Sequence, residues 1–238
     1  MSVNDNLAII QEDISMINDI RIIQLLCSKL CHDLVGISSA VNAGVEMCEE
    51  IQNLESESFH LIKNSAQQVS ERLAFFRVAF GLAEGKRGSI TISELKSLSL
   101  GLINQKKIEL KWRESLQTEP SNPIDGRVAK ILLNFILIGE SCLPRGGTIS
   151  LLCVERDGLL ALAVEADGQG CDLPKHHVQA LSENCEVEEL NPTNIASYFL
   201  QCLVKDVGGE VKFDVDSENG IVKFTSFLQH FNQNLLDD

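Results

Sequence analysis

The chain has 238 residues, enough for one large or two small domains with a proper core, and 44% hydrophobic residues, which is ordinary globular composition. Twenty Lys and Arg against 34 Asp and Glu give a net charge of −14, which repels phosphate backbones and argues against nucleic-acid partners. No stretch approaches 18 apolar residues and residues 1–15 hold acids where a signal peptide needs bases, so a cytoplasmic chain without membrane contact is expected. None of the eight cysteines forms a CxxC pair, and reduced core thiols are the default reading.

From about residue 15 to 84 the sequence predicts two long helices. In the first, Ile22, Leu26, Leu30, Leu34, Ile37, Val41, Val45, Cys48 and Ile51 recur at steps of three or four. In the second, Phe59, Ile62, Ala66, Val69, Leu73, Phe76, Phe80 and Ala83 form a heptad stripe. The short polar break at residues 52–58 implies an antiparallel hairpin. Two such stripes have more apolar surface than one hairpin hides. Either a second copy covers it, giving a homodimeric four-helix bundle, or the C-terminal half packs over the hairpin.

Residues 81–89 (GLAEGKRGS) read as a linker, which divides the chain into 1–84 and 85–238. Beyond it the pattern predicts a strand at 89–93, a helix at 94–105, a strand at 107–112 and a proline-bearing loop at 118–123. A buried helix at 124–142 follows, then a hairpin of 147–155 and 159–165, a helix at 192–207 and a hairpin of 210–216 and 221–229. The fold class is therefore α+β: a helical hairpin followed by a two-layer α/β sandwich.

His32 is the candidate for chemistry. At 100° per residue it lies about 200° from Leu30 and 160° from Leu34, opposite the core stripe. Lys29, Gly36, Ser39 and Ala43 share its face, and three of these four are small enough to let another protein approach closely. Arg72 and Arg77 on the second helix fall near His32 if the hairpin is antiparallel, where they contact either a partner's acidic pocket or the many local acids.

The string LCSKLCHDLVGISSAVNAGVEMCEE, with RLAFFRVAFG at residues 72–81, resembles the ChpT-type histidine phosphotransferases of bacterial cell-cycle phosphorelays. The resemblance runs from about residue 20 to 229. It implies that His32 takes a phosphoryl group from a receiver-domain aspartate and passes it to another, so that the partners are receiver domains of a hybrid histidine kinase and of response regulators. It casts Asp33 as the carboxylate that bonds the other ring nitrogen. Mg²⁺ would come with the receiver; no metal or other cofactor is expected on this chain. Gly36-Ile37 stand where the family has Ser-Pro and where kinases often carry a polar residue, which leaves hydrolytic phosphatase activity open.

The second half resembles a degenerate ATP-binding domain of histidine kinases. Asn134 matches the first polar residue of the kinase N-box, but Ile138 replaces the metal-holding Asn. Ala166 replaces the adenine-reading Asp, with Asp167 one place late, and residues 191–197 lack a glycine-rich lid. No ATP binding is expected. The rival readings are an ATP-dependent histidine kinase and a receiver-binding adaptor without catalysis.

Overall fold

A computed structural model describes the backbone of residues 3–51, 57–81, 88–104, 106–113, 123–156 and 159–229, with side chains at 18–48, 59–81, 88–104, 106–113, 123–155 and 159–228. The expected interhelical break, most of the glycine linker with Ala83, the loop at 118–122 and the turn at 157–158 lie outside the described residues.

Two helices, α1 (Val3–Ile51) and α2 (Glu57–Phe80), pack against each other as the hairpin. Ile22, Leu26, Leu30, Leu34, Ile37 and Val41 are all partly covered, as their period requires, while Val45 is 41% exposed. On α2 the covered stripe is displaced. Ser65, Phe75, Phe76 and Ala79 are buried, whereas Phe59 and Leu73, both heptad members, are 45% and 49% exposed. The heptad therefore splits into a row used within the chain and a row left open.

After the linker come β1 (Ser89–Thr91), α3 (Ile92–Ile103), β2 (Ile108–Trp112), β3 (Pro123–Asp125) and α4 (Gly126–Ser141). Thr91 starts α3 through a capping box, its hydroxyl accepting from the Glu94 amide while the Glu94 carboxylate accepts from the Thr91 amide. β1 and β3 form a small antiparallel sheet that the sequence did not suggest. Next are β4 (Gly147–Arg156), β5 (Leu159–Asp167), α5 (Lys175–Ala180), a 3₁₀ turn (Val187–Glu189), α6 (Ile195–Asp206), β6 (Val211–Asp216) and β7 (Ile221–Gln229). The main sheet has the order β2-β4-β5-β7-β6, with β2 parallel to β4 and all other pairs antiparallel.

α4 is the centre of the core. Ile131, Leu132, Leu133, Phe135 and Ile136 are fully buried, and Phe135 meets Phe224 of β7 at 5.8 Å between ring centroids. Its Asn134 donates to the Ala79 carbonyl of α2 at 3.0 Å and to Lys130 O at 2.9 Å. Phe75, Phe76 and Ala79 enter the same cluster, and Phe80 stacks on Phe199 of α6 at 5.4 Å. The last turns of α2 are thus covered by the C-terminal half, and Phe76 does not face a second copy.

α1 is clamped at a separate point. The Arg21 guanidinium donates to Val187 O (3.1 Å), Glu188 O (3.2 Å) and Leu190 O (3.4 Å), at the end of the 3₁₀ turn, where Val187 O also accepts from the Leu190 amide. Around it Ile22, Leu25 and Leu26 pack on Leu190 and Ile195. Arg21→Ala is expected to cost on the order of 1 kcal/mol, since the bonds are charge-assisted but exposed. Calorimetry should show a melting temperature about 2–4 °C lower. Amide exchange should rise at 187–190 before the rest of the chain opens; unchanged exchange there would refute the clamp.

Candidate functional site

His32 sits mid-way along α1 with its side chain 87% exposed, and its Nδ1 lies 3.4 Å from Asp33 Oδ1. Asp33 is only 18% exposed, and its Oδ2 accepts from Lys29 Nζ at 2.9 Å, an i, i+4 pair in which Lys29 is 14% exposed. Lys29, Asp33 and His32 form a line from the covered side of the helix to its open side. Helical periodicity places Lys29 beside His32 on the partner-facing surface. The structure instead turns its long stem inward, where it screens Asp33. Gly36, Ser39 and Ala43 are exposed as their wheel positions predict, and a side chain at Gly36 would meet nothing within 4 Å. Cys27 and Cys31, read as packing residues, are exposed; Cys142 and Cys171 are core thiols, with burial pushing Cys142 to about 12 and Cys171 to about 11.

His32 stands at the mouth of a cleft of about 360 Å³ between the hairpin and the α/β half. Arg72 of α2 lines it; Arg77, exposed in the last turn of α2, does not. Lys106 pairs with the nearly buried Glu140 on its wall. The floor is α4 and α5. There His177 is 5% exposed, with Nδ1 2.7 Å from Ser197 Oγ and Nε2 3.0 Å from Ser141 Oγ. The neighbouring His176-His177 pair gives no sequence sign of this role, because both serines arrive from distant elements.

The positions expected to hold nucleotide are closed. Ile138 is 1% exposed and Ala166 is fully buried on the helix-facing side of β5. Asp167, one residue on, is exposed and lines a groove on the opposite face with Lys111 and Thr148. A strand alternates its faces, so the one-place displacement puts the carboxylate on the wrong side of the sheet. In the lid region Asn191 and Asn194 bond each other: Asn194 Oδ1 accepts from the Asn191 amide at 2.8 Å, and Asn191 Oδ1 accepts from the Asn194 amide at 3.3 Å.

An exposed neutral imidazole is a nucleophile near pH 7. The histidine phosphotransferase C-terminal domain family matches residues 92–219, and the chain belongs to that family. The protein phosphotransferase ChpT of Brucella abortus (strain 2308) is 27% identical over 195 residues, covering 82% of this chain and 90% of that protein. A solved structure described as a bacterial phosphotransferase superposes with a TM-score of 0.73 at 25% identity, covering 86% of this chain and 95% of that one. The chain is accordingly a histidine phosphotransferase with a role in a phosphorelay. Among the described residues no helix is long and apolar enough to cross a membrane.

His177 yields a pH test. Burial, and then the charges of His176 and Lys29, hold it down at about 3, against an ordinary value near 6.5. The folded state therefore binds fewer protons than the unfolded chain between these values. The stability this provides is complete above about pH 6.5 and is lost progressively as pH falls towards 3. Between pH 6.5 and 5 the loss from this residue should be on the order of 2 kcal/mol. Urea midpoints of the wild type and of His177→Gln, measured across that range, should differ in slope, with the variant flatter; parallel slopes would refute the assignment.

Proposed function

We propose that His32 is the phosphoacceptor, and that it relays phosphoryl groups between the aspartates of receiver domains. The observation that supports this most directly is the 87% exposed imidazole backed by a carboxylate that is itself held by a lysine. With Asp33 accepting at Nδ1, the ring proton stays on Nδ1 and Nε2 offers its lone pair outward. As the phosphoryl group bonds to Nε2, positive charge develops on the ring, and Asp33 stabilises it. Lys29 keeps Asp33 oriented and spares the carboxylate an unpaired, partly buried charge.

Gly36, Ser39 and Ala43 form the face on which a receiver domain lies. A mid-helix glycine costs about 1 kcal/mol relative to alanine, and no neighbour within the chain requires the missing side chain at Gly36. Clearance for a partner's backbone accounts for it. Arg72 and Arg77 add cations on the α2 side. Donor and acceptors are receiver domains of a hybrid histidine kinase and of response regulators, and the Mg²⁺ that shields the phosphoryl oxygens comes with the receiver's acidic cluster. The functional division of the chain falls at residue 85, with phosphotransfer in 1–84. The α/β half, with Ile138 and Ala166 packed into the core, is a pseudo-ATPase that binds no nucleotide. The working compartment is the cytoplasm.

The test mixes the chain with a phosphorylated receiver domain and follows acid-labile label. The wild type should become labelled from the receiver and remain unlabelled with ATP and Mg²⁺ alone. His32→Gln should keep its helix and accept nothing, whereas Asp33→Asn should be slowed on the order of 10²-fold. Label on folded His32→Gln, or labelling of the wild type by ATP, would sink this reading.

The chain works as a homodimer whose hairpins form a four-helix bundle. The support is apolar surface left open on both helices: Ile20 and Ile23, about one turn apart on α1, are 49% and 60% exposed, and Phe59 and Leu73 of α2 about half exposed. Leu73→Glu should yield a folded 26.2 kDa species in sedimentation where the wild type sediments at twice that mass. Phe76→Glu, by contrast, buries a charge in the chain's own core and should lower folding itself by several kcal/mol. A wild type that sediments as a monomer at micromolar concentration would remove the dimer.

A further inference from the structure

The cations around His32 are not equivalent. Lys29 is neutralised by Asp33 and Lys106 by Glu140. Arg72 has no carboxylate partner among the described residues. Its neighbour Glu71, the nearest acid in sequence, accepts instead from Gln67 Nε2 at 2.8 Å. In a chain of net charge −14, a half-buried guanidinium left without an acid is conspicuous, and this one lines the same cleft as His32 and Asp33. A planar fork of N–H donors matches phosphoryl oxygens, and partial burial strengthens the match relative to water.

From this juxtaposition we infer that Arg72 is a catalytic residue of the transfer: its guanidinium contacts the phosphoryl oxygens while the group moves between the receiver's aspartate and His32. The inference rests on His32 being the phosphoacceptor. In the step itself, the Nε2 lone pair forms the N–P bond and the P–O bond to the aspartyl carboxylate breaks. The bonding pair leaves with the carboxylate oxygen, and the ring proton stays on Nδ1 against Asp33. Acyl phosphate and neutral imidazole become carboxylate and a phosphorylated imidazolium, so charge balances without a co-reactant. Three equatorial oxygens carry the negative charge throughout. A fixed donor fork lowers the barrier most where that charge is least solvated, between the two carriers.

A docking role and a catalytic role separate in single-turnover kinetics with a phosphorylated response-regulator receiver domain in varied excess. Arg72→Ala should lower the maximal transfer rate about 10- to 100-fold, with half-saturation changed less than about 3-fold, since the docking face at Gly36, Ser39 and Ala43 is kept. Arg72→Lys, which keeps the charge and loses the fork, should recover only part of the rate, and Lys212→Ala, on β6 outside the cleft, should match the wild type. A raised half-saturation concentration with full maximal rate would overturn the inference in favour of docking, and unchanged kinetics would overturn it outright. If Arg72→Ala loses helicity by circular dichroism, Arg72→Gln is read by the same split. Label on His32→Gln in the same assay would overturn this inference together with the phosphoacceptor assignment, whereas a silent His32→Gln beside an unimpaired Arg72→Ala would overturn this one alone.

Discussion

Phe75, Phe76 and Ala79 determine where the hairpin sits. All three are at most 4% exposed, and they reach that state by packing on the C-terminal half rather than on α1 alone. At about 25 cal/mol per Å² of apolar surface, two buried phenylalanines are worth several kcal/mol. That seam fixes the far end of α2, and the Arg21 clamp fixes α1 some turns before His32. Held at two points, α1 presents His32 at a constant height above α4 and α5, and the cleft between the halves is a built feature.

The seam also explains the fate of Asn134. The resemblance matches this residue to the first polar position of a kinase N-box, yet its amide donates to the backbone of α2. A polar side chain with no exposure survives in the core because it satisfies a carbonyl that the seam buries. The same logic covers Ile138 and Ala166, which complete the core at positions where a nucleotide would need polar groups. In this chain α4 is the surface that grips the hairpin.

How much of this was legible depended on the range of the interaction. The long helices and both β-hairpins follow from local periods and turn residues, and the outward aspect of His32 follows from counting 100° per residue. The heptad on α2 gave the right helix but not its two neighbours, because Phe76 and Leu73 look alike in sequence and differ only in what the rest of the chain brings to them. β3 has three residues, too few for a period, so its pairing with the strand expected at 89–93 had no sign in the sequence, and the parallel β2–β4 pair has no signature at the residues that make it. The burial of Lys29 was hidden for a similar reason: it lines a cleft whose other residues include His177, nearly 150 residues away.

Charge adds a constraint on how such a carrier meets its partners. On the function proposed above the partner is a receiver domain, whose phosphorylation pocket is acidic because it must hold Mg²⁺, and this chain carries a net −14, so the two would repel at distance. At physiological ionic strength that repulsion is screened beyond about 8 Å. Inside this range the few charges near His32 dominate, and two of the three cations there are already spent on Asp33 and Glu140. What remains is a weak, short-ranged attraction centred beside the imidazole. Such an interface would align a phosphoryl group at His32 without retaining the protein that delivered it, which is the balance the proposed relay between receivers requires.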